Sequence, residues 1–137
     1  MSLFVDTSIW YAAADKSDPS NSRAKAILSA SEPLVTTDHV LVETWTLIRW
    51  RLGRRPAERF WAAMREGVAS LEMILVADLE VAWEIGNAYR DQDFSMVDRT
   101  SFAAMRRLGI ERVASLDDDF AIFRFGPNRR RAFVVVR

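Results

Sequence analysis

Apolar residues in this chain gather in runs too short for helices, separated by helix-length stretches. Leu3-Phe4-Val5, Leu34-Val35, Met73 to Val76, Val113 to Leu116 and Phe133 to Val136 read as five strands. Between them, Ser20 to Ser31 carries Ala24, Ile27 and Leu28 at helical spacing. Thr37 and Asp38 are helix N-cap types, and Gly53 stops the helix that runs to about Leu52. Pro56 suits the first turn of the next helix, with Phe60, Trp61 and Met64 on its inner face. Asp78 opens a helix that runs through Tyr89. Another covers about Ser95 to Leu108, with Gly109 in the position that favours a left-handed residue. Strands alternating with helices predict a parallel sheet covered on both faces. In such a sheet the functional site lies at the carboxyl ends of the strands.

With 137 residues, the chain is expected to form one domain spanning 1–137. Half of its residues are hydrophobic, enough to build a core. It has no cysteine and one histidine, His39. Thiolate zinc sites, iron–sulfur clusters, cysteine nucleophiles and multi-imidazole centres are therefore excluded. The longest uncharged run, Thr7 to Ala14, has eight residues, against about 20 for a membrane span. Asp6 follows an N-terminus without a basic region, so no signal peptide is read and a soluble cytoplasmic protein is expected.

Four acids occupy places where acids are expensive. Asp6 and Asp117 directly follow the first and fourth strand candidates. Each could be an ordinary turn or cap residue. Glu43 has Val40, Leu47 and Trp50 at i−3, i+4 and i+7, which puts a carboxylate on an apolar helix face. An ion pair with an arginine is the plain alternative. Asp98 has Phe102 and Met105 at i+4 and i+7. Capping of its own helix is the alternative there. One shared cation accounts for all four acids at once. All-oxygen ligation selects a hard ion, Mg²⁺ or Mn²⁺, and such ions commonly act on phosphate esters.

The segments Phe4 to Ser8, Thr36 to Glu43, Phe94 to Asp98 and Ala114 to Phe120 resemble, in order, the four acidic blocks of the PIN domain. Over nearly its whole length the chain resembles the small bacterial VapC-type ribonuclease toxins. The resemblance implies a three-layer α/β/α fold with a central parallel sheet of about five short strands. It implies a metal-dependent endoribonuclease that leaves 5′-phosphate and 3′-hydroxyl ends, and a small antitoxin partner. Asp6, Glu43, Asp98 and Asp117 match the family's acidic quartet, with Asp119 as a further candidate ligand. Ser8 matches its small hydroxyl beside the first acid. A housekeeping PIN nuclease in RNA maturation and a catalytically inactive PIN-like interaction module are the alternatives. A phosphotransfer receiver or aspartyl-phosphate phosphatase is disfavoured, because no lysine follows Lys25 and Asp6 begins no Asp-x-Asp.

Other features are less distinctive. Arg99 is a candidate contact to substrate phosphate. The basic residues Arg49, Arg51, Arg54 and Arg55 flank a helix end, where cations belong in any case. His39 is read as a surface or capping residue, and the five tryptophans as core. The helix from Asp38 to Leu52 bears apolar residues on more than one face, and Phe60, Trp61 and Met64 add to them. A single core contact needs one stripe. The surplus predicts a groove for an amphipathic antitoxin helix, with a homodimer as the alternative use of the same surface.

Overall fold

The computed structural model describes residues 1–137. Five strands, β1 (Leu3–Val5), β2 (Leu34–Thr37), β3 (Ser70–Glu72), β4 (Arg112–Ala114) and β5 (Val134–Val136), form one sheet in the order β3-β2-β1-β4-β5. Every pairing is parallel. Seven helices flank the sheet: α1 (Thr7–Ala14), α2 (Asn21–Ser29), α3 (Asp38–Leu52), α4 (Arg54–Arg65), α5 (Val76–Ala88), α6 (Met96–Leu108) and α7 (Asp119–Ile122). This is the expected α/β/α arrangement.

The strand order fixes where a site can form. The chain moves outward from β1 to β2 and β3, then returns to the other side of β1 as β4. Between β1 and β4 the progression reverses, and the loops leaving those two strands part to open a crevice. Register sets its floor. Val5 pairs with Ala114, so Asp6 and Ser115 leave the sheet side by side. Asp6 N–H donates to the Ala114 carbonyl at 3.0 Å, extending the ladder into the crevice.

Two elements differ from the sequence reading. No element was expected at 7–14, where α1 forms. Its Ile9, Trp10, Tyr11 and Ala12 are all buried, so the helix has no polar stripe to reveal its period. The third strand is Ser70–Glu72 rather than Met73 to Val76. It is an edge strand with Ser70 and Leu71 exposed, so it carries no apolar run. Beyond it Asp38 accepts the Ile74 N–H at 2.8 Å, Asp78 accepts the Leu75 N–H at 2.9 Å, and α5 begins at Val76. Buried Asp78 also receives Arg107 through Nε and Nη2, each at 2.9 Å, which ties α5 to α6. Burial alone would raise the Asp78 pKa, but the guanidinium and the Leu75 amide outweigh it and hold the carboxyl below its ordinary value.

Helix α6 rests on an aromatic floor. Phe102 is fully buried, stacks on Phe123 at 4.5 Å and meets the edges of Phe94 and Phe120 at 5.1 and 5.0 Å. One turn earlier on the same face is Asp98, so this packing sets the depth of that carboxylate. Phe102→Ala is expected to cost about 3–5 kcal/mol. Chemical denaturation checks this, and a loss below about 1 kcal/mol would show that the floor does not anchor α6.

Candidate active site

Asp6 caps α1 and faces the crevice at once. It is 2% exposed, and its Oδ2 accepts the Ser8 and Ser115 hydroxyls, both at 2.9 Å. Ser8 Oγ in turn accepts the Leu116 N–H at 2.9 Å, and Ser115 Oγ accepts the Asp117 N–H at 3.1 Å. Two serines thus stitch the loop after β1 to the loop after β4. Sequence reasoning gave no role to Ser115. Its only signal was adjacency to the end of a strand, which many core serines share.

Asp98 caps its own helix and also joins the acidic cluster. Ser95 Oγ accepts the Asp98 N–H and Asp98 Oδ2 accepts the Ser95 N–H, both at 3.0 Å, a reciprocal capping box at the start of α6. Asp98 also stands with Asp6 and exposed Asp117, carboxylate oxygens of the three lying within 4.8 Å of one another. Glu43 stands outside that trio. It is half-buried, pairs with no arginine, and accepts Thr7 Oγ1 at 2.6 Å. It lines the same cavity of about 740 Å³ as the three aspartates. The face of α3 on which Glu43 sits is therefore partly a cavity wall, with Val40 buried and Trp50 open to solvent. Asp119, at the start of α7, adds its carboxyl to the crowding around Asp98 and Asp117.

Crowding shows in the protonation of the aspartates. Burial, followed by the charge of Asp117, pushes Asp6 up to about 6 against the pull of its two serines. Burial and the hydrogen bond to Asp119 push Asp98 up to about 8. Asp117 is also raised, by burial and then by the charge of Asp119.

Three sequence readings are corrected here. Arg99 lies away from the cavity. Its Nε donates to the Phe94 carbonyl at 3.2 Å, and its guanidinium covers Gly86 of α5 so closely that a side chain there would collide with it. His39 neither caps α3, a task Thr37 performs, nor stands free. Its Nδ1 lies 3.0 Å from Thr100 Oγ1, bridging α3 to α6. Of the tryptophans only Trp10 is buried, whereas Trp50, Trp61 and Trp83 are exposed.

Raised carboxylate pKa values make stability fall with pH. The metal-free fold holds more protons than the unfolded chain between the unfolded pKa near 4 and the folded values of about 6 and 8. The stability they lend below about pH 4 is lost as the pH rises through that window. In EDTA the melting temperature should fall from about pH 5 to about pH 8. Asp98→Asn keeps the capping acceptor and should raise the pH 8 value by several degrees. A wild-type melting temperature that climbs across this range would contradict the crowding.

The chain has relatives among known proteins. The chain matches the PIN domain family over residues 3–126. It is 40% identical over 121 residues to the 23S rRNA-specific endonuclease VapC20 of Mycobacterium tuberculosis, in strains CDC 1551 / Oshkosh and ATCC 25618 / H37Rv, across 87% of this chain and 92% of theirs. It superposes on the crystal structure of Mycobacterium tuberculosis VapC20, described as a sarcin-ricin loop cleaving toxin, with a TM-score of 0.81 and 38% identity over 87% of this chain and 92% of that one. No helix is long and apolar enough to cross a membrane. The chain belongs to the PIN-domain family, as a homologue of the VapC-type endonuclease toxins.

Proposed function

We propose that the chain, acting as one domain in the cytoplasm, is a divalent-metal-dependent endoribonuclease and the toxin of a toxin–antitoxin pair. The observation that carries this reading is the meeting of Asp6, Asp98 and Asp117 within 4.8 Å at the sheet's carboxyl edge. The relatives' ribosomal RNA substrate supports a looped RNA as the target, since a loop can bend its backbone into a small cleft.

The donor set fits a hard ion. It is all oxygen, and its mutual repulsion is the cost that a divalent charge removes. Asp6, Asp98 and Asp117 would hold Mg²⁺ or Mn²⁺, with Glu43 and Asp119 beside them. When bound, such an ion polarises the phosphoryl group and makes water more acidic. Ser8 and Ser115 fix the rotamer of Asp6, so the ligand is in place before substrate arrives. Glu43, oriented by Thr7, accepts the proton of the attacking water. A new P–O bond forms, the P–O3′ bond breaks, and the departing 3′ oxygen takes a proton from solvent. The products carry 5′-phosphate and 3′-hydroxyl ends.

Incubating the protein with total RNA and Mg²⁺ or Mn²⁺, then sequencing the cleaved ends, tests this. Asp6→Asn and Asp98→Asn should abolish detectable cleavage while staying folded, because each removes a residue that would hold the metal. Cleavage unchanged in EDTA would end the metal reading, and no cleavage by wild type would end the nuclease reading.

The antitoxin has a surface to bind. Leu41, Val42, Trp45 and Trp61 line an apolar cavity of about 260 Å³ between α3 and α4. Val42 and Trp61 remain 63% and 46% exposed, whereas Phe60 and Met64 turn inward. An amphipathic helix would cover what the core leaves open. Expression alone should arrest growth. Co-expression with the neighbouring small gene should restore it and give a complex that Val42→Glu weakens. A harmless protein whose neighbour neither binds nor inhibits it would make it a housekeeping nuclease. Light scattering on the free protein reads whether a second copy takes that surface instead.

A further inference from the structure

Trp50 lies near the end of α3 with 79% of its surface exposed, and it lines the same cavity as Asp6, Glu43, Asp98 and Asp117. An indole so open contributes little packing to the fold. Seven residues separate it from Glu43, two helical turns, so the two share a face about 10 Å apart along the axis. That is the length of roughly three bases stacked at 3.4 Å. Arg51 also lines the cavity. Its guanidinium carbon lies 5.2 Å from the Tyr11 ring centre and 6.0 Å from that of Trp50. The guanidinium belongs to none of the chain's ion pairs. Nearby Asp15 is hydrogen-bonded by Tyr11 and Ser17, with the Arg51 charge close by but in no ion pair with it.

We infer that Trp50 and Arg51 form a nucleotide subsite at the rim of the acidic cavity. The indole stacks on a base flanking the cut phosphodiester, and the guanidinium meets a phosphate of the same strand. The inference rests on the endoribonuclease reading and adds where the strand lies. Four carboxylates repel a polyanion, so the cleft needs a cation and an apolar hold at its rim, and these two residues supply both. A π face beside a cation is the general means of holding single-stranded nucleic acid. The α3–α4 cavity has no charged wall, which suits a peptide better than a phosphate chain. Stacking tolerates any base, so the subsite sets affinity and register rather than base identity.

A short single-stranded RNA titrated with divalent metal chelated stays whole and reports binding by fluorescence anisotropy. Trp50→Ala should weaken binding about 5- to 100-fold, and Trp50→Phe should restore most of it. Arg51→Gln should weaken binding and make the slope of log affinity against log salt shallower by about one. With metal restored, Trp50→Ala should raise KM and leave kcat nearly unchanged, because the stack is the same in ground and transition states. Thermal melts of these variants should match wild type. If wild type cleaves RNA while Trp50→Ala keeps its affinity and KM, the subsite is overturned and the nuclease reading stands. If wild type cleaves nothing yet loses RNA affinity on Trp50→Ala, the nuclease reading falls, and Trp50 then marks an RNA-binding surface with no bond to cut, which overturns the subsite as placed. Loss of antitoxin binding with RNA binding intact would assign Trp50 to the protein partner and overturn the inference.

Discussion

Mutual repulsion among three aspartates is the force that the surrounding structure must withstand. Carboxylate oxygens within 4.8 Å of one another would drive their backbones apart unless each were anchored separately. Each anchor is of a different kind. Asp6 is held by two hydroxyls and by its place at the start of α1. Asp98 is held by a capping box above an aromatic floor. Asp117 is held through its backbone by Ser115. No two of them share a helix or a strand, so strain at one is not passed directly along an element to another.

This arrangement needs little sequence because the sheet does most of the placing. Parallel strands release their loops at one edge, and the reversal between β1 and β4 parts those loops. Three-residue strands suffice when β1 and most of β4 are fully buried and the ladder continues through Asp6 and Ser115. Asp6 and Asp117 therefore stand just beyond the ends of β1 and β4, where the ladder's last hydrogen bonds also fix their loops.

What could be read from the sequence follows from this economy. Asp6 and Asp117 were legible because an acid ending an apolar run marks a strand terminus. Asp98 was legible because Phe102 and Met105 gave its helix face away. Glu43 was found by the same logic, although the face it sits on is partly a cavity wall. The edge strand β3 was misplaced because half-exposed strands carry no apolar signature. Helix α1 was missed because its residues are mostly apolar and none is exposed, so no polar face shows a period. Ser115 and Thr7 act only through the carboxylates they orient, and nothing local marks such a role. The direction of Arg99 was equally illegible, since packing against Gly86 is a fact of tertiary structure.

The capping box of α6 ties backbone motion to the charge of the cleft. Asp98 Oδ2 is both the acceptor that closes the helix's first turn and half of a carboxyl group facing Asp6 and Asp117. Fraying of that turn and displacement of the carboxyl are one event. Amide hydrogen exchange at Ser95 therefore becomes a gauge of the cleft's occupancy, slowing when the carboxylate is held and quickening when it is not.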